Sequence, residues 1–176
     1  MNVKKILALI ILGALLVSCS SRKELDLSNV QPPKMEKMEG DYNLDFTAMH
    51  NYVIEELQAD LTPFFYIVNG SFDISGDNEK KEIAVKCKCM DGCVENDVDL
   101  FFSMVLNLIS YNASEQDYRF KAPSLDNNGT YIDFGTVFNY YDLKLYAEKE
   151  SGEVLKNLIV TKGYKIPIDS RYIEEN

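Results

Sequence analysis

Glu82-Ile83-Ala84-Val85-Lys86-Cys87-Lys88-Cys89 sends Ile83, Val85, Cys87 and Cys89 to one side and Glu82, Ala84, Lys86 and Lys88 to the other. A period of two is the side-chain geometry of a β-strand, so this stretch predicts a strand with one buried face. Asp91-Gly92 ends it with turn chemistry. Upstream, Gly76-Asp77-Asn78-Glu79 reads as a turn, and Phe64 to Ser75 is rich in aromatic and β-branched residues. The two halves together predict a β-hairpin.

Outward from this hairpin the periodicity changes. Phe46, Met49, Val53, Leu57 and Leu61 recur at spacings of three and four, with Glu55, Glu56 and Asp60 between them. This predicts an amphipathic helix that starts at an Asp45 cap and stops at Pro63. On the other side, Val94, Val98, Phe101, Phe102, Val105 and Ile109 form the stripe of a second helix, from about Glu95 to Tyr111. Glu95, Asp97 and Asp99 suit the positive end of its dipole. Leu100, Met104 and Tyr111 lie away from the stripe, so this helix expects burial on more than one side, under a loop or against a partner.

Residues 112–130 read as loop, with Pro123 and the turn cluster Asp126-Asn127-Asn128-Gly129. A second β region runs from about Tyr131 to Ala147, turns at Glu150-Ser151-Gly152 and returns from Val154 to Thr161. A short last strand is expected at Tyr164–Ile168. The resulting expectation is an α+β domain with element order α-β-β-α-β-β. Its two helices would cover one face of an antiparallel sheet of four to five strands.

The first residues carry the address. Lys4 and Lys5 precede an unbroken run of 12 apolar or small residues, Ile6 to Val17, which leads into Leu16-Val17-Ser18-Cys19. The run is too short for a hydrocarbon core that needs about 20 residues, and its layout is that of a removed targeting segment. Leu16-Val17-Ser18-Cys19 resembles the lipobox of bacterial lipoproteins. That resemblance implies a diacylglycerol thioether on Cys19, with acyl chains such as palmitate, and a protein anchored to the cell membrane or outer membrane facing away from the cytoplasm. Within that class, Ser20 after the cysteine is compatible with outer-membrane sorting in a two-membrane cell.

The expected organisation is a signal peptide over 1–18, a flexible tether over 19–40 containing Pro32-Pro33, and one domain over 41–176. Cleavage leaves 158 of the 176 residues. It also removes two of the 18 basic residues and none of the 28 acidic ones, so the formal charge goes from −10 to −12. An acidic body repels phosphate backbones, which argues against a nucleic-acid partner.

The remaining residues give weak chemical signals. Cys87, Cys89 and Cys93 fit inert core thiols, one disulfide of Cys93 with Cys87 or Cys89, or, least well, a soft metal site that lacks a fourth cysteine. His50 is the single histidine, which leaves no obvious base for a Ser or Cys nucleophile. Asp126 to Thr130 with Asp133 looks slightly like a calcium loop but reads better as a turn. No catalytic residue, metal site or cofactor is assigned. The expected function is a noncatalytic module that binds an envelope protein, a peptide or a glycan. Tyr140, Tyr141 and Tyr146 in the second β region, and Leu100 and Met104 on the second helix, are its candidate surface. The alternative is an envelope enzyme or inhibitor acting on glycans through carboxylates in a cleft.

Overall fold

A computed structural model describes residues 38, 40–59, 64, 66–127, 129–130 and 132–168. The signal segment, the lipobox and Cys19 lie outside these described residues, as do Leu61, Pro63 and Tyr131. The chain is α+β, with helix α1 (Phe46–Ala59), strands β1 (Asp73–Asp77) and β2 (Glu82–Cys89), and helix α2 (Glu95–Gln116). A small hairpin of β3 (Ser124–Leu125) and β4 (Ile132–Asp133) follows. After it come a 3-10 turn at Val137–Asn139, β5 (Asp142–Lys149) and β6 (Val154–Val160).

Helix α1 begins as its sequence dictates. The Asp45 carboxylate accepts the Thr47 and Ala48 N–H groups at 2.9 Å each, satisfying two donors that a helix start leaves open. Met49, Val53 and Leu57 are buried, while Glu55 and Glu56 face solvent. His50 is a structural residue: its Nδ1 accepts the Ile74 N–H at 3.1 Å and its ring stacks on Phe72, pinning α1 to β1.

The principal sheet has the order β1-β2-β5-β6. Both hairpins are antiparallel, but β2 and β5 pair in parallel over eight residues, from Glu82↔Asp142 to Cys89↔Lys149. The sheet is therefore mixed, which corrects the expectation of an antiparallel one. A parallel neighbour requires a long crossover, and α2 with the segment after it supplies that crossover. On the inner face Ile74, Ile83, Val85, Cys87, Cys89, Leu143, Leu145, Ala147 and Val160 are buried, and the helices pack against that face. The alternation read in β2 and β5 is thus the inside–outside partition of the sheet.

Four local readings are revised. Helix α2 runs one and a half turns past Tyr111, because Asn112 and Gln116 find partners along it. Gln116 Nε2 donates to Asn112 Oδ1 (2.7 Å), and its Oε1 accepts the Asp45 N–H (2.7 Å), joining the end of α2 to the start of α1. The β1–β2 turn lies over Asn78–Lys81, leaving Gly76 inside β1. There a Cβ would fall 2.3 Å from the Phe46 ring, so only glycine admits that ring. The second β region is broken at Gly135, whose φ of +71° and close approach to the Lys121 carbonyl turn the chain away from β4 before β5 begins. Residues 164–168 form no strand, although Ile166 and Ile168 are buried.

The packed body includes Met38, inside the stretch read as tether. The following segment is held by Asn78. Its Oδ1 accepts the Leu44 N–H (3.0 Å) and the Tyr141 hydroxyl (2.8 Å), and its Nδ2 donates to the Leu44 carbonyl (2.9 Å). Lys81 belongs to the same corner. Its ammonium donates to the Tyr42 carbonyl and lies 4.0 Å from the Tyr42 ring centroid.

Replacing Asn78 by Ala would strip partners from Leu44 and Tyr141 together and should cost about 2–3 kcal/mol, whereas Tyr141→Phe removes one hydroxyl and should cost about 1 kcal/mol. Urea denaturation midpoints of the two variants check this order. A midpoint for Asn78→Ala equal to wild type would show that this corner does not hold the N-terminal segment.

Candidate functional site

The outer side of the helix pair carries a groove of about 440 Å³, lined by Tyr52 of α1, Asn107, Leu108 and Tyr111 of α2, and Pro123, Ser124, Leu125 and Ile132 of the small hairpin. Its position follows from the apolar circumference of α2. The inner stripe goes to the sheet, and the side away from that stripe has only the short hairpin to cover it. Cover is therefore partial: Tyr111 and Leu125 each remain 45% exposed. The Tyr52 and Tyr111 rings stack at 6.3 Å between centroids with 16° between planes, forming one aromatic wall. Burial raises the Tyr52 phenol above its ordinary value, and the charges of Glu56 and Glu115 push it further up. The groove is apolar in its lining and negative at its edge.

Two other hollows fit the role less well. The open face of the sheet carries a depression of about 510 Å³ around Ala84, Lys86, Lys144, Tyr146 and Ile159. Its polar groups already satisfy one another: Lys144 meets Glu82 at 2.7 Å, the Tyr146 hydroxyl donates to Glu148 at 2.8 Å, and Lys88 lies 3.3 Å from Glu148. A hollow of about 520 Å³ among Phe134, Phe138, Tyr164 and Ile166 ends at Ile168, the last described residue.

The structure scatters the residues expected to form one surface. Tyr141 is fully buried and Tyr140 packs edge-on against Tyr42 and Phe120 at 5.6 and 6.0 Å, so this pair is part of an inner aromatic cluster and is removed from the candidate surface. The physical reason lies in their partners: the Tyr141 hydroxyl donates to Asn78 Oδ1, and both rings pack against Tyr42 and Phe120. Tyr146 does face outward, on the open sheet. Leu100 and Met104 are half-buried and lie outside the groove; the exposed wall of α2 is its later part, at Tyr111. Tyr52 was hidden among the residues of an ordinary amphipathic helix, and the only sequence signal for its partner was the off-stripe position of Tyr111.

Among the described residues, the carboxyls whose pKa moves all move down. The Tyr146 hydroxyl and then Lys88 lower Glu148, the Arg119 guanidinium lowers Asp117, and turn hydrogen bonds lower Asp77 and Asp91. Asp126 accepts the Thr130 N–H at 2.6 Å, closing the turn that had suggested a calcium loop. Among the described residues, no three His, Cys, Asp or Glu side chains converge to hold a metal ion, and no helix is long and apolar enough to cross a membrane.

Comparison with protein-family models, with curated proteins and with solved structures finds no match to this chain.

The electrostatics of the groove can be checked directly. Neutralising Glu56 and Glu115 together to Gln removes the negative charges that disfavour the phenolate, so the Tyr52 titration should move down toward its ordinary value. Ring-carbon NMR of labelled tyrosine would read the shift; an unmoved Tyr52 would place both carboxylates outside its field.

Proposed function

We propose that the protein is a noncatalytic binding module held on a membrane, outside the cytoplasm, by lipid on Cys19. Its partner is a protein, which inserts an apolar side chain flanked by a basic residue into the Tyr52–Tyr111 groove. The observation that carries this reading is the exposed, stacked tyrosine wall beside Leu125, set next to Glu56 and Glu115.

Stacked tyrosines present large contact area at low conformational cost, and their hydroxyls remain available as polar handles. Exposed Leu125 and Tyr111 form the kind of contiguous apolar surface that marks a binding site. The neighbouring carboxylates favour a partner with Lys or Arg beside its anchor, and the net charge of −12 left after cleavage extends that preference to encounter. The basic-then-apolar segment and Leu16-Val17-Ser18-Cys19 support the address, with more than one acyl chain needed for lasting attachment.

Two experiments test the two halves of this reading. Palmitate labelling in cells should mark the wild-type protein and be lost in Cys19→Ala, whose precursor should stay unprocessed; a wild-type protein that takes up no label rules out the lipid anchor. For the groove, a photo-crosslinking residue at Leu125 should capture a defined envelope protein in intact cells, and one at Ile159 on the open sheet should not. The adduct should vanish in Tyr111→Ala and weaken at least several-fold in Glu56→Lys/Glu115→Lys. Capture from Ile159 alone would move the site to the sheet face.

A further inference from the structure

Helix α1 lies along a free edge of the sheet, because β1 is an end strand in the order β1-β2-β5-β6. Two contacts one helical turn apart fix it there. The Phe46 ring sits over Gly76, and the His50 imidazole reaches Ile74, whose N–H it accepts at Nδ1 (3.1 Å). Four residues of helix rise about 6 Å and two residues of strand about 6.7 Å, so the two anchors match in spacing. The first anchor is apolar and indifferent to pH. The second depends on a lone pair.

An imidazole nitrogen accepts a hydrogen bond only while it carries no proton, so this bond holds the neutral ring with its proton on Nε2. A proton on Nδ1 would set two N–H groups against each other. The same nitrogen has a second partner at hand, since Asp73 Oδ1, on the residue before Ile74, lies 3.9 Å away. That is too long for a hydrogen bond and near enough for a modest ring movement to make one. Among the described residues, Asp73 is the charged group within 4.0 Å of the ring, and Phe72 stacks on its face at 6.0 Å with 13° between planes. The His50 side chain is 26% exposed, so a proton reaches it from solvent without unfolding.

We infer that His50 is a proton-operated latch between α1 and the edge of β1: neutral, its Nδ1 holds the Ile74 N–H; protonated, the same nitrogen donates to Asp73 and lets the strand go. One proton is taken from solvent, one hydrogen bond breaks and one charge-assisted bond forms. Ile74 is 4% exposed, and a buried donor left unpaired is costly, so the abandoned N–H opens toward water. Phe46 over Gly76 keeps the other end of the contact, which confines the opening to the neighbourhood of Ile74. Imidazole ordinarily changes charge between about pH 5 and 8, so the latch works in mild acid. What it opens is a sheet edge, whose freed donor can meet water or an incoming strand. The latch stands apart from the groove and needs neither the lipid nor the partner proposed above.

His50 is the single histidine, so its ring signals assign themselves. Nitrogen NMR of the full chain in detergent at pH 7.5 should show a ring protonated on Nε2 and bare at Nδ1; a proton on Nδ1 there would overturn the latch. Deuterium exchange, corrected for its intrinsic pH dependence, then follows the release. From pH 7.5 to pH 5 the Ile74 amide should lose about ten-fold or more in protection, while Leu145 in the paired middle of the sheet keeps its own. Ile74 protection that survives ring protonation, or loss at both amides in step, refutes a local release. Two variants separate the partners. His50→Asn offers an acceptor that takes no proton, so Ile74 should stay protected at both pH values; acid release in that variant would trace the effect to another group and sink the proposal. Asp73→Asn removes the second acceptor, so release should require a more acid solution. Release at the wild-type pH would overturn the exchange of partners.

Discussion

The parallel pairing of β2 with β5 is the constraint on which the rest of this structure depends. Two antiparallel hairpins could have stood apart as separate small ribbons, each marginal in water. Joined along eight residues, they become one sheet with one continuous apolar face. A parallel neighbour cannot be reached by a tight turn, so the chain must travel back along the sheet, and α2 is that return path. The length of α2, its burial and its apolar circumference all answer to this requirement. Helix α2 packs against β6, and α1 covers the β1 edge of the same face.

What α2 cannot place against the sheet it must cover by other means, and the groove arises there. The return from α2 to β5 is made by a short two-stranded hairpin that reaches Leu108 and Tyr111 only in part. The opposite face of the sheet follows a different logic. Its charged residues lie in cross-strand rows and neutralise one another, as with Lys144 and Glu82 or Lys88 and Glu148, so it is solvated without inviting a partner. Lys156 shows the same economy on the inner side: at the sheet edge its ammonium lies 2.6 Å from Asp99 and 3.3 Å from Glu95 of α2. That pair locks helix to strand where apolar cover thins.

Much of the fold was legible because it rests on periodicity. Ile83, Val85, Cys87 and Cys89, and again Leu143, Leu145 and Ala147, declared a buried face before any partner was known, and they occupy it. Asp45 declared a cap and acts as one. The misreadings share a cause: each involved a residue whose role is set by something distant in sequence. Tyr141 is inside because Asn78, 63 residues earlier, waits for its hydroxyl. Helix α2 continues through Asn112 and Gln116 because Asp45, 71 residues before Gln116, supplies partners for its amide. Composition alone made a tyrosine-rich strand look like a surface.

By itself the sequence determined the α+β class, the order of its principal helices and strands and the inner face of β2 and β5, since propensity and alternation are local properties of a chain. Tertiary structure alone decided that the two hairpins join in parallel and that Tyr52 and Tyr111 meet to form a groove. These are relations between segments brought together by burial of a shared core. Hydrophobic burial is non-directional, so it requires that apolar faces meet and leaves the pairing of particular residues to hydrogen-bond register and packing.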